Sequence, residues 1–339
     1  MTLTKTVAFS KNSTNLFFHI LTKCNLKCRH CYINPAQHGE ATLPLATIKV
    51  WLQAFSPGSA SKNLIFLGGE PTLHPDLPAA VKHARRLGFG SITIDTNGYL
   101  FHDILSKVTP EEVDYFSFSL DGATAETNDR IRGEGSHAAC LNGIRRAIAG
   151  GFTTSLIYTV SRTNIHELAL MPDLLAQLGV SRFFIQVIGL RGRSALAQGA
   201  SDFAASPQVS MTQWMEAVAG TAQKVAERGI PVTYPKVFLG PEEKFECAGI
   251  VADNYFVFPN GRVYRCPLCE DFPIHSLCFE EGQLVPAARL NEGDFFQLEI
   301  PEGCVMNKMI QPYNISYDEQ GRPEFKIACC LLKEEISGG

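Results

Sequence analysis

The sequence predicts an α/β fold built on a parallel sheet, and three observations predict it. Six strand-like runs alternate with amphipathic helical stretches across residues 1–230. Polar and glycine-bearing motifs follow the carboxyl end of each of those runs. From about Pro231 the pattern changes to short β-rich runs, Pro, Gly and seven cysteines, which reads as a small separate domain over 231–339 that metal helps to fold. Alternation of this kind implies parallel pairing through right-handed crossovers. A doubly wound sheet and an incomplete barrel both place ligands at strand carboxyl ends, so periodicity alone leaves those two open.

The strand candidates are 16–21, 64–67, 92–95, 115–120, 155–160 and 182–188. Between them apolar residues recur at helical spacing: Leu45, Ile48, Leu52 and Phe55, then Leu77, Val81, Ala84 and Leu87, then Leu141, Ile144 and Ile148, then Leu168, Leu174 and Leu178. A last helix is expected over about 212–228. Gly88, Gly150 and Gly179 follow helices, where a left-handed cap needs no Cβ.

Composition narrows the class. The chain has 339 residues, 45% hydrophobic and 19% charged, enough to build a sizeable core. The net charge is −4 with no Lys/Arg block, which argues against nucleic acid as the main partner. No apolar run is long enough to span a bilayer, and residues 1–13 lack the features of a secretory signal, so a cytoplasmic protein is expected. Eleven cysteines is a high and odd number for a disulfide framework. Reduced thiolates acting as metal ligands explain them better. Three lie at 24–31 and seven from 247 onward; Cys140, between them, reads as a small buried hydrophobe in an amphipathic helix.

The first cluster is Cys24-Asn-Leu-Lys-Cys28-Arg-His-Cys31, a C-x3-C-x2-C pattern. Three thiolates on one short loop can each take one iron of a cubane and leave the fourth iron open, as a substrate-activating cluster requires. Gly68-Gly69-Glu70-Pro71 follows the second strand, Thr96-Asn97-Gly98 the third, and Ser119-Leu120-Asp121-Gly122 ends the fourth, with Asn128 to Gly133 beyond it. Two glycines let backbone approach a ligand, Glu70 can accept from an ammonium group, and a guanidinium holds a carboxylate well.

Together these motifs resemble the radical S-adenosylmethionine superfamily over roughly residues 16–193. The resemblance implies an incomplete (β/α)6 TIM-like barrel, a [4Fe–4S] cluster on Cys24, Cys28 and Cys31, and S-adenosylmethionine as cofactor. In that family the cluster cleaves S-adenosylmethionine to a 5′-deoxyadenosyl radical that removes hydrogen from substrate. It further implies cofactor contacts from Gly68, Gly69 and Glu70, from Asn97 near the ribose, from Ser119 and Arg132, and from His30 and Ile188 near adenine. Arg130 is the alternative to Arg132, because the family's usual His is Asn128 here and the spacing is one residue longer. An external electron donor such as flavodoxin or ferredoxin is also implied.

In the C-terminal region Cys247, Gly261 and Cys266 give C-x13-G-x4-C, similar to the first half of SPASM/Twitch auxiliary-cluster domains. The C-x2-C-x5-C-x3-C block of a full SPASM domain is absent, so one auxiliary [4Fe–4S] cluster is expected. Cys247, Cys266, Cys269 and Cys278 are the proposed ligands, with Cys329 or Cys330 as distant alternatives and Cys304 as core. The rival is a zinc site on Cys266, Cys269, His275 and Cys278. Sulfatase-maturing relatives carry an aspartate after the second auxiliary cysteine; Pro267 stands there instead.

The expected activity is hydrogen abstraction from a peptide or small molecule bound between barrel and C-terminal domain, with loop 190–210 and its Arg191 and Arg193 as a cover. Only twenty-three residues precede Cys24, too few for a leader-peptide-binding domain ahead of it. The alternative class is a non-catalytic iron–sulfur carrier or redox sensor with a zinc-stabilised tail.

Overall fold

The structure, a computed structural model, describes residues 4–10, 12–58, 61–196, 206–287, 290–311 and 314–338. Its strands are β1 (Thr4–Val7), β2 (Ser13–His19), β3 (Ser61–Leu67), β4 (Ser91–Thr96), β5 (Tyr115–Ser119), β6 (Thr154–Val160), β7 (Arg182–Val187), β8 (Val232–Pro235), β9 (Phe238–Leu239), β10 (Asp253–Val257), β11 (Arg262–Tyr264), β12 (Leu277–Glu280), β13 (Gln283–Pro286), β14 (Lys326–Ile327) and β15 (Lys333–Ile336). Strands β2 to β8 pair in chain order and in parallel. All six predicted strands are among them, shifted by at most three residues at either end.

Alternation decides what faces where. Leu16, Phe18, Leu64, Phe66, Ile92, Ile94, Phe116 and Phe118 are almost fully buried beneath the outer helices. The intervening residues face inward and many are polar: Asn15, Asn63, Asp95, Ser117 and Ser119. Asn63 donates to Asn15 and Asn15 to Asn254 of β10, each at 2.9 Å, a ladder across three registered strands. Helices Leu45–Ala54, Leu77–Arg86, Ser136–Ala149, Met171–Leu178 and Met211–Ala226 cover the outside. Gly88 and Gly179 take the expected left-handed cap, at φ 83° and 72°. Gly150 does not: its φ is −79°, and Gly151 at +81° makes the reversal one residue later.

The sheet runs across the boundary expected at 230/231. β8 extends the barrel beside β7, and β10 adds in parallel to the other flank, against β2. Beyond them β15 and β1 end one edge, and β11, β12 and β13 the other, so the strand order is open rather than a closed barrel. A second apolar cluster forms around Phe256, Phe258, Tyr264, Phe296 and Met306 and takes in Ile33 from the loop after β2. Of loop 190–210, residues 197–205 lie outside the described residues. Among the described residues no helix is long and apolar enough to cross a membrane.

Candidate functional site

The loop carrying Cys24, Cys28 and Cys31 leaves the carboxyl end of β2, and each thiol is partly exposed there. Burial pushes Cys24 up to about 12 and raises Cys28, with the neighbouring thiols adding to the effect; such groups become thiolates when a metal replaces the proton. Among the described residues no fourth cysteine joins that loop. Cys140 is fully buried in helix Ser136–Ala149, its Sγ directed at the Ser119 carbonyl. The donor set therefore fits a cubane held by three thiolates.

The glycines of the second loop serve this one. A Cβ on Gly69 would lie 2.3 Å from the Lys23 carbonyl oxygen, and one on Gly68 would lie 2.6 Å from that of Leu21. Gly69 N and Glu70 N donate to those same two carbonyls at 3.0 Å, so the close approach is to the cysteine loop's own backbone. Glu70 is 1% exposed. Its oxygens accept from Thr72 N and Oγ1, Thr96 Oγ1 and Asn97 N, which stitches the second loop to the third. Asn97 in turn donates to Asn25 Oδ1 at 2.7 Å, inside the cysteine loop.

The fourth loop is organised by Asp121, which is fully buried. Its Oδ2 lies 2.6 Å from Arg132 Nε and 3.0 Å from His30 Nε2. Its Oδ1 accepts from Thr159 N, and Asn128 Oδ1 accepts from its backbone N–H. Burial pushes the carboxyl up, but Arg132 and His30 outweigh that and hold it well below the usual range. Arg130 is exposed, whereas the Arg132 side chain is 10% exposed and lies against Asp121. Ser119 faces inward on β5, and Ile188, 4% exposed, sits at the end of β7.

One residue escaped the sequence reading. Asp95, on β4 just before Thr96-Asn97-Gly98, faces inward beside its register partner Ser117 and near Glu70. It belongs to none of the ion pairs among the described residues. Burial raises it to about 7, against a hydrogen bond from Ser117. Its one signal in the sequence is a charge inside an otherwise apolar and Thr-rich strand.

The C-terminal cysteines gather differently from expectation. Cys247, Cys266, Cys304, Cys329 and Cys330 line one narrow pocket with mostly apolar walls. Cys329 is an electrostatic neighbour of Cys247, Cys266 and Cys304. Cys269 is buried in contact with Cys266. Cys278 stands apart on β12, where Glu280 is its partner. The set Cys266, Cys269, His275 and Cys278 does not converge on a single-ion site, and neither does any other group of His, Cys, Asp and Glu among the described residues.

An open parallel barrel whose strand ends bring together a three-thiol loop, a Gly-Gly-Glu loop and a buried Asp–Arg pair defines a cluster-bearing, cofactor-cleaving barrel. Comparison with known proteins agrees: residues 19–185 match the family described as the Radical SAM superfamily, so that stretch is a radical SAM domain. A radical SAM domain takes a [4Fe–4S] cluster and S-adenosylmethionine as cofactors. The chain is similar to Fe-coproporphyrin III synthase of Methanosarcina barkeri, with 29% identity over 66% of this chain and 55% of that protein. It is also similar to PqqA peptide cyclase of Streptomyces rochei, with 30% identity over 56% of this chain and 54% of that one. The chain thus spans about half the length of these curated relatives. In fold it resembles Streptococcus suis SuiB bound to its precursor peptide SuiA, with TM-score 0.60, 12% identity, and 88% of this chain and 64% of that one covered.

Proposed function

We propose that the protein is a radical S-adenosylmethionine enzyme that abstracts hydrogen from a peptide or small-molecule substrate, with residues 231–339 as an auxiliary-cluster domain and the cytoplasm as its compartment. The observation that carries this is the three-thiol loop with no fourth cysteine beside it, braced by loops from β3, β4 and β5. When bound, the cluster supplies the electron that splits S-adenosylmethionine, and the radical so made takes hydrogen from substrate. The chain's own part is binding and orientation. Glu70, with its oxygens already engaged, positions the third loop. Asp95, inward-facing and without a cation, accepts the cofactor's ammonium group. Arg132, oriented by Asp121, meets its carboxylate, and His30, whose Nδ1 is buried without a hydrogen bond, faces the adenine side.

For the auxiliary cluster we propose Cys247, Cys266, Cys304 and Cys329 as ligands, since Cys329 neighbours each of the other three among the five cysteines that line the pocket. A cubane spreads its ligands over four irons and needs no single point of convergence. The names of the two relatives support both a peptide and a porphyrin-type small molecule as substrate class. Anaerobic reconstitution followed by dithionite and S-adenosylmethionine tests the reading. Formation of 5′-deoxyadenosine supports it; none over repeated preparations favours the electron carrier.

A further inference from the structure

Between the loop carrying Cys31 and the loop carrying Cys266 runs a polar seam that neither cysteine site uses. Its centre is Arg191, on the loop after β7. Arg191 Nη1 donates to both the Pro267 carbonyl and Glu270 Oε1. Pro267 directly follows Cys266, and Glu270 directly follows Cys269. On its other side the guanidinium lies over the ring of Tyr32, 5.0 Å from its centre, and Tyr32 directly follows Cys31. The same loop is wedged in place: Arg193 N donates to the Cys31 carbonyl at 2.9 Å, and a Cβ on Gly192 would lie 2.5 Å from that oxygen.

The partners of Arg191 are themselves fixed. Tyr32 OH and His19 Nε2 are 2.7 Å apart, and His19 Nδ1 lies 2.9 Å from the Val257 carbonyl. A carbonyl can only accept, so Nδ1 carries the proton and the tyrosine donates to Nε2. The Glu270 backbone carbonyl accepts from His38 Nε2 at 2.8 Å. The Glu270 side chain is 3% exposed, so its charge has little water to fall back on. A guanidinium held between a buried carboxylate and an aromatic face has one geometry available.

We propose that Arg191 is a positioning residue: it grips the C-terminal cysteine loop while lying on the N-terminal one, and so sets how the two iron–sulfur sites stand to each other. The purpose of the grip rests on the two-site reading above; the grip itself needs no metal. Hydrogen–deuterium exchange on the metal-free full chain tests it, comparing wild type, R191Q, E270Q and the double variant. Each single change is expected to speed exchange roughly tenfold in both 28–34 and 266–271 while leaving β4 and β5 unchanged, and the double variant to add little more. After reconstitution, the paramagnetic resonance spectrum of the reduced N-terminal cluster is expected to differ in E270Q, although Glu270 belongs to the other loop. Faster exchange confined to 189–194, or loosening of both loops with an unchanged spectrum, overturns the positioning role. About four irons in wild type, rather than about eight, overturns the two-site reading and the purpose of the grip with it, and exchange alone then decides whether the grip exists.

Discussion

Arg132 Nε lies 2.6 Å from Asp121 Oδ2, with both side chains nearly sealed from solvent. Removing the carboxylate strands a buried cation. Asp121→Ala is expected to cost about 3–5 kcal/mol in urea unfolding. The pH dependence follows from sign. The folded carboxyl sits below its unfolded value near 4, so its stabilisation is complete above that pH and is lost as pH falls below it. The variant's stability should fall less steeply below pH 4 than the wild type's; equal slopes contradict the assignment.

His19 and His38 predict a separate window. Burial lowers them to about 3 and about 4. The unfolded chain takes up those protons near pH 6.5, so stability is lost as pH falls from there. Each histidine should contribute a loss of about 2 kcal/mol between pH 7 and 5. Urea midpoints at the two pH values check this, and His38→Asn should remove about half of the dependence.

The auxiliary ligands can be told apart by iron content. Cys304→Ala should reduce a reconstituted protein from about eight irons to about four, and Cys278→Ala should leave about eight. The reverse pattern would restore the set Cys247, Cys266, Cys269 and Cys278.

Two glycines make a matched pair. A Cβ on Gly69 meets the Lys23 carbonyl at 2.3 Å, and one on Gly220, inside helix Met211–Ala226, meets nothing within 4 Å. Gly69→Ala should cost about 1–3 kcal/mol and weaken iron retention at the first cluster. Gly220→Ala should gain about 0.5–1 kcal/mol. Thermal unfolding of both variants checks the contrast.

What was legible in the sequence is what is local. Cys24, Cys28 and Cys31 lie within eight residues, so their grouping is visible in the sequence. The strands of the barrel were legible because apolar outer positions such as Leu64 and Phe66 alternate with inner ones. The C-terminal pocket was not. Cys304 reaches Cys266 only through folding, and nothing in 304–330 announces that approach. Nor does the run 253–257 say that it will pair with β2. That Glu70 also ties Thr72, Thr96 and Asn97 together was not legible, because those contacts form only when the second and third loops meet.

Asp95 gives the cofactor side of the account its own test. Loss of a charged hydrogen bond costs about 1.5–3 kcal/mol, so Asp95→Asn should weaken S-adenosylmethionine binding roughly ten- to hundredfold in equilibrium titration. Wild-type affinity in the variant removes Asp95 from the site.

The most direct measurement is electron paramagnetic resonance of the dithionite-reduced Cys304→Ala protein, which should hold the N-terminal cluster alone, before and after addition of S-adenosylmethionine. The account predicts a shifted spectrum, because one iron of that cluster is free to take the cofactor. An unchanged spectrum at saturating cofactor would contradict it.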